Sequence, residues 1–523
     1  MRKLDKIQIV KNVGSSWLSL GVNIATGIFL SPFILHRLGD VGFGIWVLIF
    51  SLTGYYGLFD LGIRSSIVRY VSKFSATNDK EHLARLINTS LFGYSCVGAL
   101  SMVITLAGCL YVDRMFRIPV EFYSTARWLL LIVGTSVAVG FPLGVISGFL
   151  EGLQKFYVLN WTNIVFTLLR TLLIVVFLDL GYGLLTLAVI TVGLPLLSSG
   201  VRGAIALRIL PVPFGLRYVD KASFRQIASY SGITFMIMIA GRLKFKTDEI
   251  VIGTFLSVAA ITYFNIGARI VDYAGEVVTS LAQIFVPMAS QSEATGNMHR
   301  LRKIFIAGNR ACAFTILPIC AILIILGKSV IEVWVGRRYV AASYPVLVIM
   351  IIPWTLMLSQ SASGRILFGM GKHGTWAKVT LFEGIANLIL SVLLVRPYGI
   401  VGDALGTAIP LTCSMVFFMP QHLCTKLGFR ITGFLRQAYF WPIVICAPMV
   451  AALLLMRRWF VPHTYPQLAL HLLVAGLTYG LCLLWVSLTN RVLHVEHLPS
   501  GPGPEADVSE ALVTVTETFQ QGL

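Results

Sequence analysis

Continuous apolar runs of about 20 residues, each closed by a short polar or basic stretch, follow one another through almost the whole chain. Each is long enough to cross a hydrocarbon core of ~30 Å as a helix. The runs do not alternate apolar with polar residues, so helices are predicted rather than the strands of a barrel. The pattern predicts an all-α polytopic membrane protein of about fourteen transmembrane helices, over 13–35, 42–62, 87–111, 128–150, 157–178, 184–207, 226–251, 255–288, 304–326, 344–368, 379–395, 400–420, 438–456 and 467–489. The first run is too long for the apolar part of a signal peptide and has no A-x-A cleavage site, so it reads as a retained span. After Asn490 the chain turns acidic and rich in Pro and Gly, and residues 491–523 are expected to form a disordered cytoplasmic tail.

The two halves resemble each other at a nearly constant offset. At a shift of 218, Ser72, Ala76, Thr77 and Leu83 align with Ser290, Ala294, Thr295 and Leu301; at a shift of 217, Leu150, Gly152 and Lys155 align with Leu367, Gly369 and Lys372. Six predicted helices separate the matched elements, an even number, so both copies have the same orientation in the membrane. That implies two six-helix bundles related by an axis along the membrane normal. The expected organisation is a first bundle over 1–225 (helices 1–6), a second over 226–420 (helices 7–12), two further helices over 421–490, and the tail.

Composition agrees with the pattern. Of 523 residues 56% are hydrophobic and only 12% charged, with a formal net charge of +18. The Lys and Arg residues are spread through short connections and form no aromatic-studded basic domain, which argues against nucleic acid as a partner. They concentrate in alternate loops, for example Arg64, Arg69, Lys73, Lys80 and Arg85, then Arg208, Arg217, Lys221 and Arg225. By the positive-inside rule those loops and both termini are expected on the cytoplasmic face of the cell membrane. The eight cysteines form no CxxC pair and read as small core hydrophobes. His494 and His497 in the tail do not make a metal site, and no metal is expected elsewhere. No GxxxxGK[ST] loop is present, so this chain is not expected to hydrolyse ATP. The predicted outer connections are too short to build a catalytic domain, which disfavours a membrane glycosyltransferase or O-antigen polymerase. The chain is therefore read as a secondary transporter rather than an enzyme.

Charged residues inside the apolar runs are expensive in lipid and mark candidate functional positions. In "AGRLKFKTDEIVIG", residues 240–253, Arg242 and Lys246 share one helical face and Lys244 and Asp248 another. Both sets are expected on the outer half of one long helix, facing a water-filled cavity. Arg269, Asp272 and Glu276 fall on one face of the next helix. Arg170 lies in the fifth helix with no acidic residue within a turn, and Arg365 lies near the end of the tenth. Asp60 and Arg64 are one turn apart at the end of the second. Two readings stand side by side. In one, Arg170, Arg242, Lys244, Lys246, Arg269 and Arg365 bind an anionic substrate while Asp60, Asp248, Asp272 and Glu276 couple transport to H⁺ or Na⁺. In the other, Arg269–Asp272 and Asp60–Arg64 are structural ion pairs, and Lys246 and Arg365 snorkel to an interface.

The stretches "FILHRLGDVGFGIWVLIFSLTGYYGLFDLGIRSSIVRYVSK", "SGFLEGLQKF" and "TDEIVIGTFLSVAAITYFNIGARI" resemble the O-antigen type polysaccharide flippases of the MATE-like multidrug/oligosaccharidyl-lipid/polysaccharide exporter superfamily, over roughly residues 7–490. The resemblance implies two six-helix lobes in a V around a central cavity that opens alternately to either side. It also implies a polyprenyl-pyrophosphate-linked glycan as cargo, membrane lipids as surroundings, a polysaccharide polymerase and glycosyltransferases as partners, and no cofactor beyond a coupling ion. A multidrug or other small-molecule exporter of the same fold is the alternative, although a cavity for cationic drugs would be richer in acids than in bases.

Overall fold

The computed structural model describes residues 6–60, 63–77, 79–209, 211, 213–371 and 374–488; the acidic tail, His494 and His497 lie outside them. Among the described residues there is no strand. Seventeen α-helices follow in order. The first six are α1 (Lys6–Gly54), α2 (Ile63–Ala76), α3 (Lys80–Met115), α4 (Tyr123–Gly152), α5 (Phe156–Asp179) and α6 (Leu184–Ile209). Next come α7 (Lys221–Phe245), α8 (Asp248–Phe255), α9 (Val258–Ala282), α10 (Phe285–Ala294), α11 (Met298–Trp334) and α12 (Val340–Ser359). The last are α13 (Ser361–Gly369), α14 (Gly374–Cys413), α15 (Met419–Leu427), α16 (Ile431–Trp459) and α17 (Tyr465–Leu488). Helices satisfy every backbone donor and acceptor within one segment, which a lipid environment requires. Side chains such as Leu110, Leu172, Leu197 and Leu481 are exposed and apolar, as lipid-facing positions should be.

Ten stretches among the described residues are long and apolar enough to cross a membrane. Two of them, Gly14–Asp60 and Gly374–Leu427, each cover two of the expected spans. The cause is the same at both places. Gly39 (φ 68°, ψ 178°) and Gly399 (φ 59°, ψ −142°) leave helical geometry at a single residue, so two helices join there with a kink and no loop between them. The expected single helix over 226–251 is instead two, α7 and α8, parted at Lys246 (φ −137°, ψ 12°) and Thr247. The expected helix over 255–288 ends as α9 at Ala282, and α10 starts at Phe285.

The chain divides into two compact units that do not follow its linear order. The first comprises Met1–Arg269, Trp334–Ile349 and Ala377–Pro410; the second comprises Ile270–Val333, Met350–Trp376 and Leu411–Leu523. In the first, α3 packs on α4, α4 on α6 and α1 on α5. Ile67, Val71, Leu83, Leu86, Phe149 and Leu150 form an apolar core among α2, α3 and α4. A polar hub sits at the kink of α1 just after Gly39. The Asp40 carboxylate accepts from Tyr339 Oη at 2.6 Å, Tyr263 Oη at 3.0 Å and Arg338 Nη2 at 3.1 Å, and its backbone carbonyl accepts from Thr262 Oγ1 at 2.7 Å. One carboxylate thus ties the ends of α1, α9 and α12 together.

The two halves of α14 fold back on each other about Gly399, and Gly402 and Gly406 make that contact. A Cβ on Gly406 would lie 2.5 Å from Ser391 N and 2.6 Å from Ser391 Cα, and these backbone atoms cannot swing aside. The GxxxG spacing serves the same end in other membrane helix pairs. Gly406→Ala is therefore expected to destabilise the protein by about 3 kcal/mol through overpacking, read as a lower melting temperature in detergent. Gly200→Ala, where a Cβ meets nothing within 4 Å, is the control that should leave it unchanged.

In the second unit, Phe305 and Phe434 stack at 4.5 Å between α11 and α16, within a core that includes Leu301, Ile366, Leu411 and Leu423. Helices α16 and α17 pack as a hairpin, and Tyr479 Oη donates to the Phe314 carbonyl at 2.6 Å. A π-helical turn, Ser414–Phe418, links α14 to α15.

Candidate functional site

The first unit holds a cluster of polar side chains far from water. It is built from the end of α7, the start of α8 and the two halves of α14. Helix α7 starts at Asp220, whose carboxylate accepts from the N–H groups of Ser223 at 3.0 Å and Ala222 at 3.2 Å, an N-cap. It ends where Lys246 leaves helical geometry, and Asp248 and Glu249 then occupy the first turn of α8, where the helix dipole favours negative charge. Gly384 of α14 lets that helix approach α7 closely: a Cβ there would lie 2.8 Å from Leu243 Cβ.

The α14 contribution is periodic. Glu383, Asn387 and Ser391 lie at successive four-residue steps on the first half, and Asp403 and Thr407 at one step on the second. Glu383 is 2% exposed and pairs with Lys244, itself 3% exposed. Asn387 Nδ2 donates to the Lys244 carbonyl at 2.9 Å, which holds α14 against the last turn of α7. Ser391 Oγ donates to Asn387 Oδ1 at 2.9 Å and lies 3.3 Å from the Asp403 carbonyl. Thr407 Oγ1 donates to Asp248 Oδ1 at 3.0 Å.

The charges do not balance. Asp248 is 4% exposed, Glu249 7% and Asp403 0%, and the first two lie within electrostatic reach of the third. Among the described residues neither carboxylate oxygen of Asp403 has a partner in hydrogen-bond geometry, although the Ser391 hydroxyl stands nearby, and Glu383 Oε1 also lacks one. Lys244 answers Glu383, and the half-buried Lys246 lies within electrostatic reach of Asp248, which leaves three buried acids, Asp248, Glu249 and Asp403, around that one lysine. A carboxylate in such a place must be neutralised by a cation or a proton. Asp248, Asp403, Asn387 and Thr407 bring the oxygen donors that a hard cation prefers, and an acid with free oxygens suits a proton equally well.

A second polar feature runs between α1 and α5. Asn12 Oδ1 accepts from the Tyr157 N–H at 3.1 Å, Asn160 Nδ2 donates to Ser15 Oγ at 3.0 Å and to Ser16 Oγ at 2.9 Å, Asn163 Nδ2 donates to Ser19 Oγ at 2.9 Å, and Thr167 Oγ1 lies 3.4 Å from Asn23 Oδ1. Arg170 is next on this face of α5, three residues beyond Thr167. It is half-buried and has no hydrogen-bond or ion-pair partner among the described residues.

The remaining expected residues fall as follows. Arg242 lies near the end of α7, its guanidinium against the backbone of Gly54 and Gly57. Lys246 is half-buried at the break after α7. Asp60 accepts from Tyr94 Oη, and Arg64 pairs with Glu151, so each has found a different partner from the local pairing considered above. Arg269 and Asp272 both have partners, and Glu276 is half-buried on α9. Arg365 on α13 is half-buried with no partner among the described residues. Arg170, Arg242, Lys244, Lys246, Arg269, Asp60 and Asp248 belong to the first unit; Asp272, Glu276 and Arg365 belong to the second. Only Arg242, Lys244, Lys246 and Asp248 come together around the break between α7 and α8.

Sequence reasoning passed over Glu383, Asn387, Ser391, Asp403 and Thr407. A signal was present. Glu383 and Asp403 each interrupt an apolar run, and an acid there is by default a functional candidate. Their four-residue spacing to Asn387 and Thr407 marks the same faces.

Comparison with known proteins agrees with this architecture. The family described as "Polysaccharide biosynthesis protein" matches residues 9–293, more than half of the chain. A protein of Shigella flexneri named "Putative O-antigen transporter" is 21% identical over 425 residues, covering 77% of this chain and 95% of that one. Among solved structures, the lipid II flippase MurJ in an inward closed conformation superposes with a TM-score of 0.67 at 16% identity, covering 92% of this chain and 99% of that one. An inward-facing multidrug resistance MATE family transporter gives 0.63 at 15% identity, covering 78% and 94%. The resemblance carried by the loop and helix motifs is thus upheld: the chain is a multi-pass membrane protein with the fold of the MATE and MurJ transporters, and it belongs to the polysaccharide biosynthesis protein family.

Proposed function

We propose that the chain is a flippase that carries a polyprenyl-pyrophosphate-linked oligosaccharide from the inner to the outer face of the cell membrane by alternating access, with both termini cytoplasmic. The observation that carries the reading is Arg170. An arginine with no partner among the described residues, continuing a line of amides and hydroxyls between two apolar helices, fits a phosphate-bearing headgroup that must shed water on its way through. The polyprenyl tail has no need of that path, because hydrocarbon already solvates it. The family and the named relatives support the same cargo class.

Coupling falls to the acid cluster. Asp248 and Asp403 take up H⁺ or Na⁺, and neutralising them changes the cost of packing α8 against α14. These carboxylates are too deeply buried to meet an organic cation, which weighs against a multidrug exporter.

The test is depletion of the protein followed by analysis of the lipid-linked sugars. Unflipped intermediate should accumulate on the cytoplasmic leaflet; a flipped but unextended intermediate would identify a polymerase instead. Arg170→Ala, present at wild-type level, should slow flipping about tenfold or more, the worth of a charge-assisted hydrogen bond, and Arg170→Lys should restore part of it. Normal flipping in Arg170→Ala removes this residue from the path.

A further inference from the structure

Helix α1 gives way after Gly54 to a 3₁₀ segment, Tyr55–Asp60, before α2 begins at Ile63. A tightened stretch inside a membrane-spanning run often marks a hinge. The guanidinium of Arg242 packs close to this segment: a Cβ on Gly57 would lie 2.9 Å from Arg242 Nη2.

We infer that this segment transmits cation binding at the acid cluster to the first helical bundle, with Tyr55 as the positioning residue. The inference rests on the coupling role proposed above for Asp248 and Asp403. Adjacent tyrosines reach opposite ways. Tyr55 Oη lies 2.7 Å from Thr247 Oγ1 and 3.4 Å from the Arg242 carbonyl, so it spans the break between α7 and α8. Thr247 Oγ1 already donates to the Leu243 carbonyl at 2.8 Å, so the proton in the shorter contact belongs to Tyr55. One turn earlier, Ser51 Oγ donates to the Lys246 carbonyl at 3.0 Å and lies 3.3 Å from Glu249 Oε2. On the other side, Tyr56 Oη lies 3.1 Å from Thr105 Oγ1 of α3, whose own proton goes to the Ser101 carbonyl at 2.8 Å, and Asp60 accepts from Tyr94 of the same helix.

Thr247 immediately precedes Asp248, so any shift of the Asp248 backbone on cation binding moves the group that Tyr55 holds. The charged groups facing the Tyr55 hydroxyl are Asp248, Glu249 and Arg242. Lys246 lies at the same break, and the Lys244–Glu383 pair and Asp403 lie beyond. Among the described residues, the Tyr55 hydroxyl makes no hydrogen bond to a carboxylate. Its hydroxyl supplies a bond that can be kept or lost as α8 moves, and the far end of the same short segment is anchored on α3.

The experiment uses the full chain in proteoliposomes with a fluorescent polyprenyl-pyrophosphate oligosaccharide as probe. Flipping is followed with and without an imposed pH or Na⁺ gradient, and cation uptake by the purified protein is measured separately with radioactive sodium and by proton release. Tyr55→Phe and Thr247→Val should reduce the gradient-driven acceleration about fivefold, the weight of one hydrogen bond, while cation uptake and melting temperature stay at wild-type values. Thr247→Ser should keep both acceleration and uptake. A wild-type gradient response in Tyr55→Phe overturns the inference. So does loss of cation uptake in that variant, because Tyr55 would then be building the site rather than reporting on it. If Asp248→Asn keeps the wild-type gradient response, the coupling role of the acid cluster fails, a result distinct from either outcome at Tyr55.

Discussion

Replacing Glu383 by Gln should destabilise the protein by about 3–5 kcal/mol, because it leaves the Lys244 ammonium buried without a counter-charge. Lys244 and Glu383 are 3% and 2% exposed, so water cannot take the place of the missing partner. The loss should appear as a lower melting temperature of the purified protein in detergent. Removing both charges is a different perturbation. Lys244→Met with Glu383→Leu replaces the pair by apolar groups of similar volume, and such replacements are often neutral or stabilising. The double variant should therefore recover most of what Glu383→Gln loses. A Glu383→Gln protein as stable as wild type would mean that water or a second acid already serves Lys244.

Asp403→Asn should act in the opposite direction on stability. Both oxygens of Asp403 are buried without hydrogen-bond partners among the described residues, so the native carboxylate carries a desolvation cost that an amide would reduce. Melting temperature should rise or stay level. Cation affinity should fall about ten- to a hundredfold, the worth of a charge-assisted contact, and gradient-driven flipping should drop to the rate seen without a gradient. Asp248→Asn should lose coupling in the same way, with less gain in stability because Asp248 already accepts from Thr407. A gain in stability with loss of function is what a strained functional position predicts. If Asp403→Asn keeps normal coupling, this carboxylate has no part in ion binding.

Several positions show how far sequence patterning reaches. Asp248 was legible, because a charge inside an apolar run is costly and so seldom accidental. Its neighbour Lys244 was legible as an intramembrane cation, but its partner was not: Glu383 is 139 residues away, and a contact at that separation leaves no local periodicity. The break between α7 and α8 was also hidden. Residues 240–253 contain no proline, and the chain departs from helical geometry at a lysine, where the polar network of Ser51 and Tyr55 meets the freed backbone. Asp60 and Arg64 were recognised as neighbours one turn apart, yet the 3₁₀ segment and α2 direct them to Tyr94 and Glu151.

The chain by itself determined that this is a polytopic helical membrane protein of a polysaccharide-biosynthesis family. Lipid offers no partners to the backbone, so length and continuity of apolar runs suffice to dictate helices. It also marked several intramembrane charges, Asp248 and Lys244 among them, as candidates, since their cost is paid locally, but not Glu383 or Asp403. Only the tertiary structure decided that Arg170 continues a polar ladder with no partner among the described residues, that Lys244 is neutralised by Glu383, and that Asp248 accepts from Thr407 within electrostatic reach of Asp403 beside a glycine-packed hairpin. Those facts depend on which helix faces stand opposite one another. Close approach at Gly384, Gly402 and Gly406 sets that geometry over distances of a few ångströms, and spacing along a single helix carries no record of it.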